Sequence, residues 1–421
     1  MISNFLFILL SLFILVYIVK NFFKGKYFIL NFESLFTLGF IYYLMLPYYF
    51  LIFTKSNTVA SIFPGVAHYA VQVSEFNKII FVISIFVLYL SFMCFSKLHV
   101  FKSNEIFKIK SNTKRSSNRN LFIVYFIFVF FICLFFTYKF KGQLGKGYTE
   151  ADNMEGGKGS FISFSLILYI LSFLIIKPTT KTFHRYTFIY FIFALLIMTM
   201  GGRIYFLTTL LTTVIFIVTY KRKIKIRTIF FLTLVVAILF SVIGVVRQGS
   251  DISVELVMYI FLGEPILTSY SLFSCLSSNV LPLVNFPSEI VFGLVNLIPS
   301  FIFKDKVAFI AKFTMMSGIN YISPGGAENI FTSLMVNFGV LGIPIFAFFI
   351  SYFLKVIKNL NVNLYIFSTS WFVFTFFREP FYTSIIKILF EICFLLPVIL
   401  FLLNNFTRYS SKKGQAYENN I

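Results

Sequence analysis

A chain of 421 residues that is 59% hydrophobic and only 12% charged is not a string of soluble domains, which carry about 25% charged residues. Its net charge of +21 does not describe a nucleic-acid surface. The basic residues fall in short segments between long apolar runs, the pattern of membrane loops. Cys94, Cys133, Cys275 and Cys393 show no metal spacing and imply no disulfide framework.

The first apolar run, Phe5–Val19, has no basic region before it and no small-residue cleavage site after it, so it reads as an uncleaved span. Lys20, Lys24 and Lys26 follow it. Further basic clusters lie at 97–119, 177–185, 221–227, 355–358 and 408–413. These clusters hold most of the 36 basic residues, and the asymmetry makes their side cytoplasmic. Spans are predicted near 4–19, 34–53, 79–95, 121–138, 161–176, 187–200, 204–220, 228–246, 330–354, 363–377 and 381–403. The predicted fold is an all-α polytopic membrane protein of about eleven transmembrane helices, one integral membrane domain over 1–421. Its N-terminus is outside and its C-terminus cytoplasmic. No internal repeat of the transporter kind is visible.

One hairpin carries arginines where basic residues are least expected. Ile204–Tyr220 and Thr228–Val246 are apolar and flank the basic turn 221–227. At ~1.5 Å per residue each run is roughly 26–28 Å long, enough to cross a ~30 Å hydrocarbon core with its flanks. The basic turn is cytoplasmic, so Arg203 and Arg247 return to the same outer level. Two guanidiniums at one depth can clamp phosphate. A single arginine at an interface also snorkels to lipid phosphates, and that reading stands beside the functional one.

The segment 247–327 is semi-apolar and broken by Gly263, Pro265, Pro282, Pro287, Pro299 and Pro324, with no Lys or Arg from 248 to 303. An inner loop there would break the charge pattern of every other inner loop. It is therefore expected to be a large external loop with interfacial or re-entrant helices; the pieces 253–263 and 289–303 are the apolar candidates. The external acids and bases include Asp251, Glu255, Glu264, Glu289, Lys304, Asp305, Lys306, Glu328, Arg378 and Glu379. Arg378 sits in the turn Phe377-Arg-Glu-Pro380 before the last span.

Ser323-Pro-Gly-Gly-Ala-Glu-Asn-Ile330 reads as a glycine turn entering a helix, with Glu328 in its first turn. The helix dipole favours a carboxylate there, which accounts for Glu328 structurally. Glu328 is also the acid best placed to serve as a general base, with Glu264 and Asp251 as rivals. Gly339 and Gly342 in Asn337-Phe-Gly-Val-Leu-Gly342 read as helix-packing contacts. Lys387 and Glu391 lie four apart in the last span and read as an internal ion pair. No Walker loop, His-Glu-x-x-His, Gly-x-Ser-x-Gly or paired cysteines are present. Any reaction would use an activated substrate reached from outside.

The order Gly201-Gly-Arg203, Gly244-Val-Val-Arg247, Asn337-Phe-Gly-Val-Leu-Gly342 and Phe377-Arg-Glu379 resembles the Wzy-type O-antigen (oligosaccharide repeat-unit) polymerases, across roughly residues 195–390. The first 190 residues match only in hydropathy. The resemblance implies a GT-C-like glycosyltransferase bundle in the bacterial cytoplasmic membrane. It implies a metal-independent, cofactor-free enzyme that joins undecaprenyl-diphosphate-linked repeat units into surface polysaccharide. The substrate would be a lipid-linked oligosaccharide, and the expected protein partners are a chain-length regulator and a flippase. Arg203 and Arg247 would bind diphosphate or sugar, with Glu264, Lys304 and Asn337 as further substrate contacts. Arg378 would stabilise the leaving diphosphate. Glu328 as base comes from the residues, not from the family.

Three alternatives stay open. An O-antigen ligase shares the external loop and donor but wants a more basic, histidine-bearing loop. A membrane acyltransferase wants a histidine in its cavity. A lipid-linked oligosaccharide flippase or other transporter wants repeat symmetry and charges deep in its spans.

Overall fold

The first helix, α1 (Ile2–Phe22), is apolar on every side, as expected of a helix with protein on one face and lipid on the other. Phe7, Leu10 and Ile14 are buried, while Phe5, Leu12, Leu15, Val16 and Val19 stay exposed. In the computed structural model the described residues are 2–24, 27–28, 32–53, 64–95, 181–199, 203–221, 254–278, 280–298, 302–305, 318–323, 327–360 and 375–381, with isolated positions in 127–138, 228–231, 365–370 and at 398. Among them the fold is helical apart from one short antiparallel pair, Phe23–Lys24 with Tyr27–Phe28. Among the described residues three helices are long and apolar enough to cross a membrane, at Ile2–Lys20, Glu75–Phe95 and Gly342–Asn359. The chain is thus an all-α membrane protein. The predicted spans 161–176 and 381–403 lie largely outside the described residues, as do Arg247, Lys387 and Glu391.

The predicted span at 34–53 is one continuous helical path built in three parts: α2 (Phe32–Phe40), a π-helical turn at Ile41–Met45 and α3 (Leu46–Phe53). Pro47 explains the middle part. It has no N–H to return to the carbonyl four residues back, which is that of Tyr43. The ladder shifts instead, with the Leu46 amide bonding the Ile41 carbonyl, the i→i+5 pattern of a π-bulge. Gly39 leaves space for a neighbour: a Cβ there would lie 2.5 Å from Cε2 of Phe377.

Next come α4 (Pro64–Gln72) and α5 (Glu75–Phe95). The N-terminal ends of α1 and α5 are tied by the Ser3 amide and hydroxyl, which donate to Glu75 at 3.2 and 2.7 Å. The helices α6 (Lys181–Thr199) and α7 (Arg203–Lys221) pack together, with Phe191 edge-on to Phe206 at 4.9 Å. Arg203 is the first residue of α7, at the mouth of the predicted hairpin and at the far end of α7 from the 221–227 turn.

The predicted external loop contains α8 (Val254–Ser278), with Pro265 inside it, and α9 (Ser288–Leu297). Serines and threonines crowd the second half of α8 yet are buried at Thr268, Ser269, Ser271 and Ser274. Each hydroxyl bonds a carbonyl one turn back: Thr268 to Pro265, Ser269 to Ile266, Ser271 to Thr268, Ser274 to Tyr270. That self-satisfaction lets a polar face enter the interior at low cost.

The span predicted at 330–354 is two helices rather than one, α10 (Ile330–Asn337) and α11 (Gly342–Leu360). Gly339 adopts φ +71 and ends α10, its amide bonding the Leu334 carbonyl at 3.1 Å; a left-handed residue is a common helix stop. Gly339 is therefore a turn former and not the helix-packing contact expected for it. The segment 282–285 runs alongside the break: Val340 and Leu341 amides bond the Pro282 and Leu283 carbonyls, and the Asn285 amide bonds the Phe338 carbonyl. The Asn285 side chain closes the last carbonyls of α10, those of Met335 and Val336, at 3.2 and 3.0 Å. Irregular backbone is tolerated inside a bundle when it is satisfied in this way.

Candidate functional site

All eight residues of α10 are buried. The helix begins at Ile330, two residues after Glu328, so Glu328 does not lie in its first turn as expected. Asn329 is the N-cap, its Oδ1 accepting from the Phe331 amide at 3.0 Å, so Glu328 precedes the helix. The approach to it is pinned on α8. The Ile322 amide donates to Ser274 Oγ at 2.9 Å and the Asn329 amide to Ser271 Oγ at 2.8 Å. The Asn329 Nδ2 group donates to the Tyr43 carbonyl at 2.9 Å. This is the acceptor that Pro47 leaves without its helical donor. Tyr43 lies near the midpoint of Phe32–Phe53, so Glu328 sits beside the middle of that helical path and not at either end of it.

Glu328 is buried, and so is Glu289 at the start of α9. The Tyr321 hydroxyl lies between them, 3.0 Å from Glu289 Oε1 and 3.0 Å from Glu328 Oε2. The Ser333 hydroxyl donates to Glu328 Oε1. Asn337 Nδ2 donates to Glu289 Oε2 at 2.9 Å and to the Ser333 carbonyl at 2.8 Å. Its Oδ1 accepts from the Glu289 and Ile290 amides at 3.0 and 3.3 Å. Pro287, at the N-cap of α9, makes no side-chain cap; Asn337 supplies that cap from another helix. Two donors and two acceptor positions are the full capacity of an asparagine side chain, so protein groups fill Asn337 and its role here is positioning.

Burial lifts the Glu328 carboxyl well above the usual carboxylate range, and the nearby Glu289 charge adds to the lift; hydrogen bonds from Ser333 and Tyr321 oppose it. Burial also raises Glu289, against hydrogen bonds from Asn337, Tyr321, Glu328 and the main chain at Phe381. Glu328 stands on the segment before α10 and Glu289 in the first turn of α9. Their electrostatics are those of a close carboxyl pair, in which one ionisation opposes the other.

The turn at 375–381 closes the site. Its bonds run from the Arg378 and Glu379 amides to the Thr375 carbonyl at 3.3 and 2.8 Å. The Glu328 amide donates to the Arg378 carbonyl at 2.6 Å, and Phe377 stacks on Tyr43 with centroids 6.0 Å apart. The Arg378 guanidinium lies 3.6 Å from the Glu379 carboxylate, and both side chains are about a quarter exposed. Buried acids and a partly exposed cation thus share one locus.

Of the residues singled out in the sequence, the structure brings together Glu328, Arg378 and Asn337. Lys304 is exposed at a turn, and no hydrogen bond or ion pair among the described residues ties it to them. Glu264 lies on α8 and Arg203 opens α7, but their side chains fall outside the described residues, as does all of Arg247. Sequence reasoning counted Glu289 only among the external acids and passed over Tyr321. The signal at Glu289 is a lone acid opening an otherwise apolar ten-residue helix. Tyr321 carries no signal, because its role depends on two acids far apart in the chain. Among the described residues no group of three or more His, Cys, Asp or Glu could hold a metal ion.

No family model, curated protein or solved structure matches the chain.

Proposed function

We propose that the protein is a glycan polymerase that extends a lipid-diphosphate-linked oligosaccharide at the outer face of the bacterial cytoplasmic membrane. The observation that carries this reading is the 2.6 Å bond between the Glu328 amide and the Arg378 carbonyl. It joins the acid read as the base to the cation read as the stabiliser of the leaving diphosphate. In this reading Glu328 takes the proton from the acceptor hydroxyl. Arg378 offers a planar fork to phosphate oxygens as negative charge develops, with Arg203 and Arg247 gripping the diphosphate or sugar. Asn337 holds Glu289 and, through the Ser333 carbonyl, the turn that carries the Ser333 hydroxyl.

The test uses a strain deleted for the gene. Accumulation of single lipid-linked repeat units, with restoration by the wild-type protein and not by Glu328→Gln, supports the reading. Full-length polymer in the deletion strain ends it.

A second reading is a proton-coupled flippase or transporter of the same lipid-linked glycan. It is favoured by the buried carboxyl pair beside a broken helix, since such acids mark proton pathways and discontinuous helices mark transport sites. Purified protein in liposomes separates the two. Polymerase lengthens repeat units supplied on one leaflet, whereas a transporter moves them between leaflets unchanged.

A further inference from the structure

Glu289 has no part in the chemistry proposed above, yet it is buried, bonded and paired. Counting protons around Tyr321 shows what the pair requires. The hydroxyl lies 3.0 Å from an oxygen of each carboxyl but owns a single proton. It can donate to one carboxylate only. The second contact is a hydrogen bond only if the other carboxyl keeps its own proton and donates to the Tyr321 oxygen. The donors divide unequally. Glu289 receives the Asn337 amide at 2.9 Å and stands in the first turn of α9, and both the bond and the helix dipole favour its charged form. Glu328 receives the Ser333 hydroxyl.

We infer that Glu289 and Glu328 together form a single-proton binding site, resting on Glu328, with Tyr321 as the positioning residue between them. Passage of that proton to Glu289 breaks the Glu328 O–H bond, makes a Glu289 O–H bond and leaves the cluster's charge unchanged. Glu328 is then a carboxylate able to accept a proton from a substrate hydroxyl. That last use rests on the reading of Glu328 as base; the proton site itself does not. The other titratable groups around it are Cys275 on α8, whose thiol senses the Glu328 charge, and Arg378 with Glu379 in the closing turn. The helix α10 adds Ser333 and Asn337, neither of which titrates.

The experiment is infrared spectroscopy of the purified full-length protein in liposomes, following the protonated-carboxyl C=O band across pH in light and heavy water. The wild type should show such a band at neutral pH. Glu328→Gln should abolish it. Glu289→Gln should leave a band that disappears at lower pH than in the wild type, because the opposing charge is gone. Tyr321→Phe keeps the ring and removes the bridge. Because the singly protonated pair loses more hydrogen bonds than the fully ionised one, it should lower the pair's affinity for its proton about tenfold. A wild type with no band at neutral pH, with or without sodium, overturns the inference, as does a band that all three substitutions leave unmoved. Polymer is not read in this assay, so failure of the polymerase reading leaves the result standing and the converse also holds.

Discussion

The side-chain amide of Asn329 donates to the main-chain carbonyl of Tyr43 at 2.9 Å, across a separation of 286 residues. Pro47 creates the need for it, since its missing N–H leaves that carbonyl without its usual donor. Asn329 simultaneously caps α10 through Oδ1. One side chain therefore fixes both the depth of Glu328 in the bundle and the start of the helix behind it.

Asn329→Ala should cost about 1–3 kcal/mol, the sum of a lost cap and a lost hydrogen bond to the Tyr43 carbonyl. Pro47→Ala restores an N–H at position 47 and so a helical donor for Tyr43. In the Pro47→Ala background the Asn329 substitution should cost about 1 kcal/mol less. Thermal unfolding of the four detergent-solubilised proteins gives the coupling directly. Strict additivity would mean that the Tyr43 carbonyl does not link the two sites.

Gly339→Ala places a side chain at φ +71, with its Cβ 2.7 Å from the Pro282 and Leu283 carbonyl oxygens. Left-handed backbone costs a non-glycine residue of order 1–3 kcal/mol, and a clash with backbone oxygens has no flexible side chain to yield. The substitution should lower the melting temperature and loosen the 282–285 pairing, read as faster amide exchange at Val340 and Leu341. An unchanged melting temperature would show that the break between α10 and α11 tolerates another geometry.

Much of the frame was legible in the sequence. Apolar length and basic turns placed α1, α5 and the 204–220 helix, because lipid imposes composition on every residue of a span. Continuous hydropathy from 330 to 354 concealed the break at Gly339, since a buried turn closed by Asn285 and the Pro282–Leu283 backbone needs no polar residues of its own. Glu328 and Arg378 were recognisable as charges in turns at the ends of apolar runs. Their junction was not, because it is a main-chain bond and main-chain groups carry no sequence signature. Asn337 stood out by motif, but its partner Glu289 is set by the fold alone.

Stability should depend on pH through the carboxyl pair. A carboxyl whose folded pKa is raised binds more protons folded than unfolded over the interval between the two values. Its stabilising contribution is complete below the unfolded value, ~4.3 for glutamate, and is lost as pH rises through the folded pKa. Burial raises both Glu289 and Glu328, so the melting temperature should fall as pH climbs from the ordinary carboxylate range upward. Glu328→Gln, neutral at every pH, should flatten that slope while keeping a hydrogen-bonding side chain of the same shape. A wild-type profile as flat as the variant's would show that the pair does not titrate differently on folding.

The arginines divide by what they are asked to do. If Arg378 steadies a leaving diphosphate, Arg378→Ala should lower chain extension about 10²–10³-fold, the scale of one lost donor to developing charge. Arg378→Lys keeps the charge but loses the fork and should recover only part of it. Because the main-chain carbonyl of Arg378 survives both substitutions, the bond to Glu328 is preserved and membrane accumulation should match the wild type. Arg203→Ala and Arg247→Ala should each abolish extension without loss of expression. Polymer length on gels, alongside quantitation of the protein in membranes, reads all four variants. Normal polymer from Arg203→Ala and Arg247→Ala would reduce those two to lipid anchors, and equal activity of Arg378→Lys and wild type would leave Arg378 a point charge with no geometric demand upon it.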